Sequence, residues 1–173
     1  MKLRIRITTL LIGFMATVGN GQELTELDKK NGFKDIYLAY PIDSIKGTKL
    51  KKEFKVEKHN VMAQLYEVDN PDYSSVGSVA VKKIELKVYE GLIYEIQVIT
   101  EKDPKLMKGL EQLYGPAFYN VRSATYTWTG VNVGLTFIAN SKRTLEMVYK
   151  SAIVEKMMRE VKNEKIKEVV DDF

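Results

Sequence analysis

The sequence predicts an α+β fold, in which antiparallel hairpins build a sheet and separate helices pack against it. Three observations support this prediction. Apolar and polar residues alternate on both sides of Gly91, and a second alternating segment surrounds Gly130. Between these segments, Leu106, Leu110 and Leu113 recur at helical spacing. Because the helical pattern stands apart from the hairpins, the elements do not suggest a parallel α/β sheet.

The N-terminus has the composition of a secretory signal peptide. Lys2, Arg4 and Arg6 precede the mostly apolar stretch 7–18, and small or polar residues follow it up to Gly21. That stretch is shorter than the ~20 residues that a membrane-spanning helix needs. We therefore expect cleavage after Gly21 and no stable membrane span after signal removal. Retention of the segment as an N-terminal anchor stays open.

The composition limits the partners that the chain can have. The 173 residues include 27 basic and 23 acidic side chains and no cysteine. Residues 1–21 hold three of the bases and no acid, so the remaining chain has 24 basic against 23 acidic side chains. This balance argues against nucleic acid as a partner. Without disulfides the exported chain depends on a packed core, which suits the periplasm of a Gram-negative bacterium or secretion from one.

The first half of the chain predicts mostly strands. Residues 23–31 are a polar entry, and a short strand follows before one helical turn over residues 41–46. The lysine-rich segment 50–56 predicts an edge strand, and residues 61–68 predict a further strand. Residues 69–78 contain the turn-forming sequence Asp-Asn-Pro-Asp and predict a loop.

The hairpin around Gly91 has a register that the apolar residues select. Placing Val88 opposite Tyr94 and Leu86 opposite Ile96 puts apolar side chains on one face. A two-residue turn would shift the pairing by one residue and bring a polar side chain opposite Leu86. We therefore predict a three-residue loop centred on Gly91.

The clearest helix is predicted over residues 104–114. Asp103 is a suitable N-cap, Pro104 is tolerated in the first turn, and Gly115 followed by Pro116 ends the helix. The three leucines of its apolar stripe are expected to pack on the sheet.

The second hairpin contains the only tryptophan of the chain. A type II′ turn of Gly130 and Val131 would join its strands, and residues 144–150 would form a third strand beside them. The expected pairs are Trp128 with Val133, Tyr126 with Leu135 and Ala124 with Phe137. Trp128 would then face aliphatic side chains, so we interpret the aromatic segment as core and not as a ligand platform.

The C-terminal segment 151–173 predicts a helix with two parts. Residues 151–162 have an apolar stripe that can dock on the sheet. Beyond the polar break at Asn163, the residues Ile166, Val169 and Val170 point in a different direction around the helix. They are candidate contacts for a partner or for a second copy, although fraying at a chain end is the favoured interpretation.

The chain contains a repeated pattern. The halves 32–100 and 101–150 of the domain 22–150 each predict a helix followed by a three-stranded meander, although their sequences differ. In the second half, the residues LEQLYGP at 110–116 and YTW at 126–128 resemble two groups of tandem αβββ exported proteins. These are proteins of the β-lactamase-inhibitory-protein-like fold and the small outer-membrane-assembly lipoproteins of the SmpA/OmlA type.

The resemblance implies an exported, non-enzymatic domain for binding or scaffolding. Two features depart from those families. The chain has no cysteine for lipid attachment, and its first helix is shortened to residues 41–46.

The residues that bear chemistry point away from catalysis. His59 is the only histidine and is expected to be solvated, and the common hydrolase, metalloprotease and nucleotide motifs are missing from the sequence. We expect no cofactor and no metal, since Glu67, Asp69 and Asp72 surround an ordinary turn. The lysines at 46, 49, 51, 52, 55 and 58 suggest a solvated, edge-protecting strand.

Two functions follow from these observations. The first is an exported domain that binds an envelope protein partner, or stabilises an envelope assembly, without catalysis. The alternative is an enzyme that acts on envelope carbohydrate through paired carboxylates, which would need two acids ~5 Å or ~6.5–9.5 Å apart across a cleft. The oligomeric state stays open.

Overall fold

The computed structural model describes residues 24–173, so the predicted signal peptide lies outside the described residues. The helices are α1 (Glu26–Lys30), α2 (Pro104–Tyr114) and α3 (Ala152–Asp171). The strands are β1 (Gly32–Phe33), β2 (Ile36–Tyr37), β3 (Thr48–Val56), β4 (Val61–Val68), β5 (Ser75–Val76), β6 (Val79–Tyr89), β7 (Leu92–Glu101), β8 (Phe118–Asn120), β9 (Thr125–Thr129), β10 (Val133–Ala139) and β11 (Thr144–Ser151). Over this part of the chain, no helix is long and apolar enough to cross a membrane.

One large antiparallel sheet organises the molecule, which confirms the α+β class. Its strands lie in the order β3-β4-β6-β7-β11-β10-β9-β8, and β5 pairs with the start of β6. The strands β1 and β2 form a small separate sheet. Each half of the chain supplies four neighbouring strands of the order, one more than the predicted three. The halves meet where β7 pairs with β11.

Several elements lie at the positions predicted from the sequence. β4 spans the predicted residues 61–68, and β3 is an edge strand of the sheet. The Asp103 side chain accepts the backbone N–H of Lys105 at 2.8 Å and caps α2, and Gly115 ends that helix with a φ of 82°. The predicted helical turn is a 3-10 turn at Ile42–Ser44.

The main core lies between one face of the sheet and the segments that cover it. Leu86, Ile96, Leu135 and Met147 are fully buried on central strands, as alternation predicts. The covering residues come from α1, from the extended segment after it and from α2; they include Leu27, Phe33, Ile36, Leu38, Leu106 and Leu110. Leu113 was also expected to pack on the sheet, but it is exposed in the last turn of α2.

A smaller core lies on the opposite face of the sheet. Val88 belongs to the main core, whereas its neighbour Tyr89 packs with Tyr94 and with Val154 and Met158 of α3. Val154 and Met158 are fully buried, which is worth about 1.5–3 kcal/mol for each side chain. The predicted docking of the first turns of α3 is therefore confirmed, although Ile153 of the predicted stripe is exposed.

The β6–β7 hairpin differs from the predicted register near its turn. Leu86 lies opposite Ile96 as expected, but Val88 lies opposite Ile93 and not Tyr94. Tyr94 is the extra residue of a β-bulge. Because of this bulge, the hairpin has a two-residue turn and still pairs Leu86 with Ile96. Glu90 and Gly91 form that turn with φ values of 47° and 78°, as a type I′ turn requires. The predicted three-residue loop was wrong because it ignored the bulge.

The β9–β10 hairpin is also shifted from its predicted register. Trp128 lies opposite Leu135, and Tyr126 lies opposite Phe137, while Ala124 lies outside the strand. The shift moves each partner by two residues, so the buried face stays the same. Trp128 is buried in the main core, which confirms its interpretation as a core residue.

A long-range contact with Asp28 holds the turn of this hairpin. The Asp28 carboxylate accepts the backbone N–H groups of Val131, Asn132 and Val133 at 2.9, 2.7 and 3.1 Å. The turn is therefore bonded to α1, and Gly130 does not have the positive φ of the predicted type II′ turn. Residues 26–30, predicted as part of a polar entry, form α1 with a capping box between Thr25 and Asp28.

Candidate functional site

A cleft with an apolar floor lies between α1, α2 and the β5–β6 turn. Its volume is about 590 Å³, within the ~300–1,000 Å³ that is typical of small-molecule sites. The floor is formed by Phe33, Val79, Leu106, Leu110, Met147 and Tyr149, which come from four different elements. A depression of about 750 Å³ around Lys102 and Arg143 has no hydrophobic lining residue, so it is a weaker candidate.

Two neighbouring tyrosine side chains border the floor of the cleft. Tyr149 is buried, and its ring packs 6.5 Å from that of Phe33. Burial, together with the neighbouring Tyr114, raises the pKa of Tyr149 far above its ordinary value, and burial raises the pKa of Tyr114 as well. Both hydroxyls are therefore neutral at physiological pH, and the floor carries no charge.

Gly109 leaves part of the cleft open. It lies in the middle of α2 and lines the cleft, and a Cβ atom at this position would meet no atom within 4 Å. Glycine inside a helix is less stable than alanine by about 0.5–1 kcal/mol. The residue therefore lowers helix stability at a position where a side chain would occupy the cleft.

Three lysines surround the cleft, and none of its lining residues is acidic. These are Lys30 of α1, Lys34 after β1 and Lys105 in the first turn of α2. Within residues 24–173, none of the three forms an ion pair, although the Lys34 ammonium donates to the Asp72 carbonyl at 2.7 Å. Glu26, whose pKa Lys30 helps to lower, is already paired with Lys29 at 2.7 Å. The rim is therefore positively charged.

A second surface feature is the free edge at β8. We call this surface, formed by Phe118, Tyr119 and Val121, the β8 edge. Phe118 and Val121 are 71% and 80% exposed. The Tyr119 ring stacks on that of Tyr126 with 4.6 Å between centroids, which holds it in place. β8 pairs only with β9 in the described residues, so its outer backbone groups face solvent.

The opposite edge of the sheet is protected by charge. The lysines of β3 are exposed, and Lys49 and Lys51 pair with Asp69 and Glu67 at 2.6 and 2.9 Å. Such exposed pairs contribute little stability, but charged side chains on an edge disfavour pairing with another strand. The structure thus supports the edge-protecting interpretation of the lysine-rich segment.

The candidate contacts in the C-terminal helix lie in the last turns of α3. Ile166 and Val170 are 53% and 63% exposed, and Val169 lies between them in the same helix. Ile166 and Val170 border a shallow depression with Asn60 and Lys165. Their side chains are therefore separate from the smaller core, as the polar break predicts.

His59 has a different environment from the expected one. The prediction that it is solvated is wrong, since its side chain is only 5% exposed. It lies in the β3–β4 turn, which α3 covers: Lys162 donates to the Lys58 carbonyl at 2.9 Å, and Glu155 lies 3.8 Å from the Lys58 ammonium. Burial, then the charge of Lys58, lowers the pKa of His59, so the ring is neutral.

The buried carboxylates have structural partners. Asp28 accepts hydrogen bonds from four backbone N–H groups, that of Thr25 and those of residues 131–133. Glu95 forms ion pairs with Lys87 and Lys150 at 2.8 and 3.3 Å. At the Asp-Asn-Pro-Asp turn, Asn70 accepts the Asp72 N–H at 3.1 Å, which is turn chemistry. Between residues 24 and 173, no three acidic or histidine side chains are grouped as metal ligands would be.

Comparisons with known proteins returned no matching family, no matching curated sequence and no matching solved structure. The inferences about function that follow therefore depend on the residues and their geometry. Sequence reasoning missed the cleft, because its floor combines residues from α2 with short elements that have no periodic pattern. Gly109 was the available signal, as a glycine inside an otherwise regular helix.

Proposed function

We propose that this protein is an exported, non-catalytic domain that binds a protein partner, or stabilises an envelope assembly, through the β8 edge. The observation that supports this proposal is the contrast between the two ends of the sheet. At one end, β3 presents lysines that disfavour strand pairing, while the other end presents Phe118 and Val121 to solvent. Exposed apolar edges are a liability unless a partner covers them.

The mode of binding is strand addition. An extended segment of the partner pairs with the outer N–H and C=O groups of β8, and the main-chain hydrogen bonds provide affinity. Because side chains alternate along a strand, Phe118 contacts one face of the added segment and Tyr119 the other. The partner segment is therefore extended, with apolar side chains that can cover Phe118.

Export and the two-unit organisation belong to the same proposal. The signal-like sequence of residues 1–21 supports a periplasmic or secreted location. Each half of the chain contributes four neighbouring strands to the sheet. This order is compatible with two fused units, each of which consists of one helical segment followed by a meander. The resemblance to tandem αβββ exported proteins supports a binding or scaffolding role over catalysis.

No specific observation favours the alternative enzyme. A carbohydrate hydrolase needs one carboxyl group with a raised pKa beside a second carboxylate. Burial alone would raise the pKa of Asp28. Hydrogen bonds from the N–H groups of Asn132 and Val131 and from Thr25 outweigh burial, so the pKa is lowered to about 2. Asp28 is therefore an anchored carboxylate and not a general acid.

Site-specific photo-cross-linking tests the proposed surface in the full chain. A photoreactive amino acid replaces Phe118 at the β8 edge or, as a matched control, Lys55 on the protected edge. We expect irradiation of intact cells to join the Phe118 variant to one envelope protein, which mass spectrometry identifies. The Lys55 variant is expected to form no such product.

A substitution then links the cross-link to strand pairing. Tyr119→Pro removes a backbone donor from β8 and should abolish the product, while Tyr119→Phe should keep it. Equal cross-linking from Lys55, or no product from Phe118, would contradict binding through this edge.

A further inference from the structure

We propose that the cleft between α1, α2 and the β5–β6 turn binds a long-chain aliphatic carboxylate. The hydrocarbon chain lies on the apolar floor, and the carboxylate contacts the lysine rim. This ligand site is separate from the β8 edge, so either proposal can fail without the other.

The floor favours a ligand without internal polar groups. Phe33, Leu110 and Met147 present hydrocarbon and sulfur to the cleft, and the Tyr149 side chain beside them is buried and neutral. A peptide would bring an N–H and a C=O group for every residue, and burying such groups without partners is costly. An alkyl chain has no such cost, and burying its CH₂ groups is favourable.

The rim determines the charge of the ligand. Lys30, Lys34 and Lys105 surround the opening, and no lining residue is acidic, so the local potential favours an anion. Lys105 also lies in the first turn of α2, where the helix dipole favours negative charge. A carboxylate at the rim would gain both contributions while remaining near water, so it avoids the cost of full burial.

The position of Gly109 on the cleft side of α2 leaves room for the ligand. A side chain here would meet no protein atom close to its Cβ, and it would strengthen α2. The glycine therefore does not relieve a clash within the protein. Because Gly109 lines the cleft, a larger side chain here would extend into the space proposed for the alkyl chain.

Binding is measured by isothermal titration of the purified protein with palmitate, below the concentration at which palmitate forms micelles. We expect saturable binding of one molecule per chain. Hexadecyltrimethylammonium has the same chain length with a positive head group, and we expect it to bind at least about tenfold more weakly. Octanoate should bind more weakly than palmitate, because it buries fewer CH₂ groups.

Two pairs of variants locate the site. Gly109→Leu fills the cleft and should weaken palmitate binding by about tenfold or more, whereas Gly134→Leu, at another position with open space, should not. Lys105→Glu reverses a rim charge and should weaken binding several-fold, whereas Lys108→Glu, on the same helix but outside the cleft lining, should not. Thermal melts confirm that each variant is folded.

Three results would overturn the proposal. The first is no saturable binding of palmitate by the unaltered protein. The second is equal affinity for the cationic and anionic chains, which would indicate a non-specific apolar surface. The third is undiminished binding by a folded Gly109→Leu variant, which would place palmitate elsewhere.

Discussion

The carboxylate of Asp28 lies 2.5 Å from the position that a Cβ atom on Gly130 would occupy. The same carboxylate bonds to the three N–H groups that follow Gly130 in the chain. Since Gly130 does not have a positive φ, glycine is required here for space and not for backbone conformation. The missing side chain allows α1 to close the β9–β10 hairpin from a distance of about a hundred residues.

Gly130→Ala is therefore expected to destabilise the protein by about 1–3 kcal/mol. The added methyl group would displace the carboxylate, and backbone N–H groups that it satisfies would lose their acceptor. Urea unfolding measures the difference. Gly134→Ala is the matched control, because a Cβ atom on Gly134 of β10 meets open space. Equal midpoints for the two variants would contradict this explanation of Gly130.

The ionisation of Asp28 predicts a loss of stability in acid. Its pKa is lowered from the ordinary 3.8 to about 2 in the folded protein. Because the pKa is lower in the folded state, the ionised carboxylate contributes its full stability at pH values above the pKa of the unfolded chain. This contribution is lost as the pH falls from about 4 to about 2. The shift corresponds to about 2 kcal/mol.

The variant Asp28→Asn isolates this contribution, because asparagine has a similar size and no charge. Its free energy of unfolding should be lower at neutral pH and should change less between about pH 4 and pH 2. Urea unfolding at several pH values measures both quantities. A variant with the same acid sensitivity as the unaltered protein would show that other carboxyl groups control it.

The two hairpins show which part of the fold is predictable from sequence. Alternation identified the buried faces of β6, β7, β9 and β10, because burial selects one face of a strand whatever the turn. It did not identify the registers. Tyr94 is an extra residue in β7 near the turn, and Asp28 binds the turn of the second hairpin. Both effects come from the tertiary structure, which local patterns do not contain.

The environment of single polar residues was less predictable. The sequence around His59 is rich in lysine and glutamate and suggested a solvated turn, but α3 folds back over it. The Thr25 and Asp28 pair had the spacing of a capping box, yet its contact with residues 131–133 depends on the complete fold. The cleft was missed for the same reason, since its floor joins segments that are distant in sequence.

Replacement of Trp128 tests the main core. Its side chain is buried, and its indole N–H donates to the Gly115 carbonyl at 2.8 Å, which ties β9 to the end of α2. Trp128→Ala should cost about 3–5 kcal/mol, the usual range for removing a core aromatic side chain. Trp128→Phe keeps most of the buried area and should cost about 1 kcal/mol for the lost hydrogen bond, with some cavity cost. Denaturant unfolding gives both values, and an unchanged midpoint for the alanine variant would contradict the core assignment.

Export is expected to remove residues 1–21. The basic residues, the apolar stretch and the small residues before Gln22 follow the order of a cleaved signal. Intact-mass measurement of the protein from its native source should give a chain that begins at Gln22. A chain that keeps Met1 to Gly21 and sediments with membranes would support the N-terminal anchor instead.

The end of α3 should open far more readily than its beginning. Val154 and Met158 are fully buried, but the side chains from Asn163 to Glu168 are exposed. An isolated helical segment of this length is marginal in water, so the last turns have little tertiary support. Hydrogen exchange of the free protein should show strong protection of backbone N–H groups up to Val161 and weak protection after Asn163.

A truncation after Asn163 extends this test. It removes Ile166, Val169 and Val170, the candidate contacts, and should change the free energy of unfolding by less than about 1 kcal/mol, because Ile166 and Val170 are exposed. Truncation after Glu160 is the comparison, since it also removes Val161, which packs against the smaller core. Even protection through Val170 in the monomer, or a large loss of stability on removing residues 164–173, would make the tail a structural element. The candidate contact site would then be withdrawn.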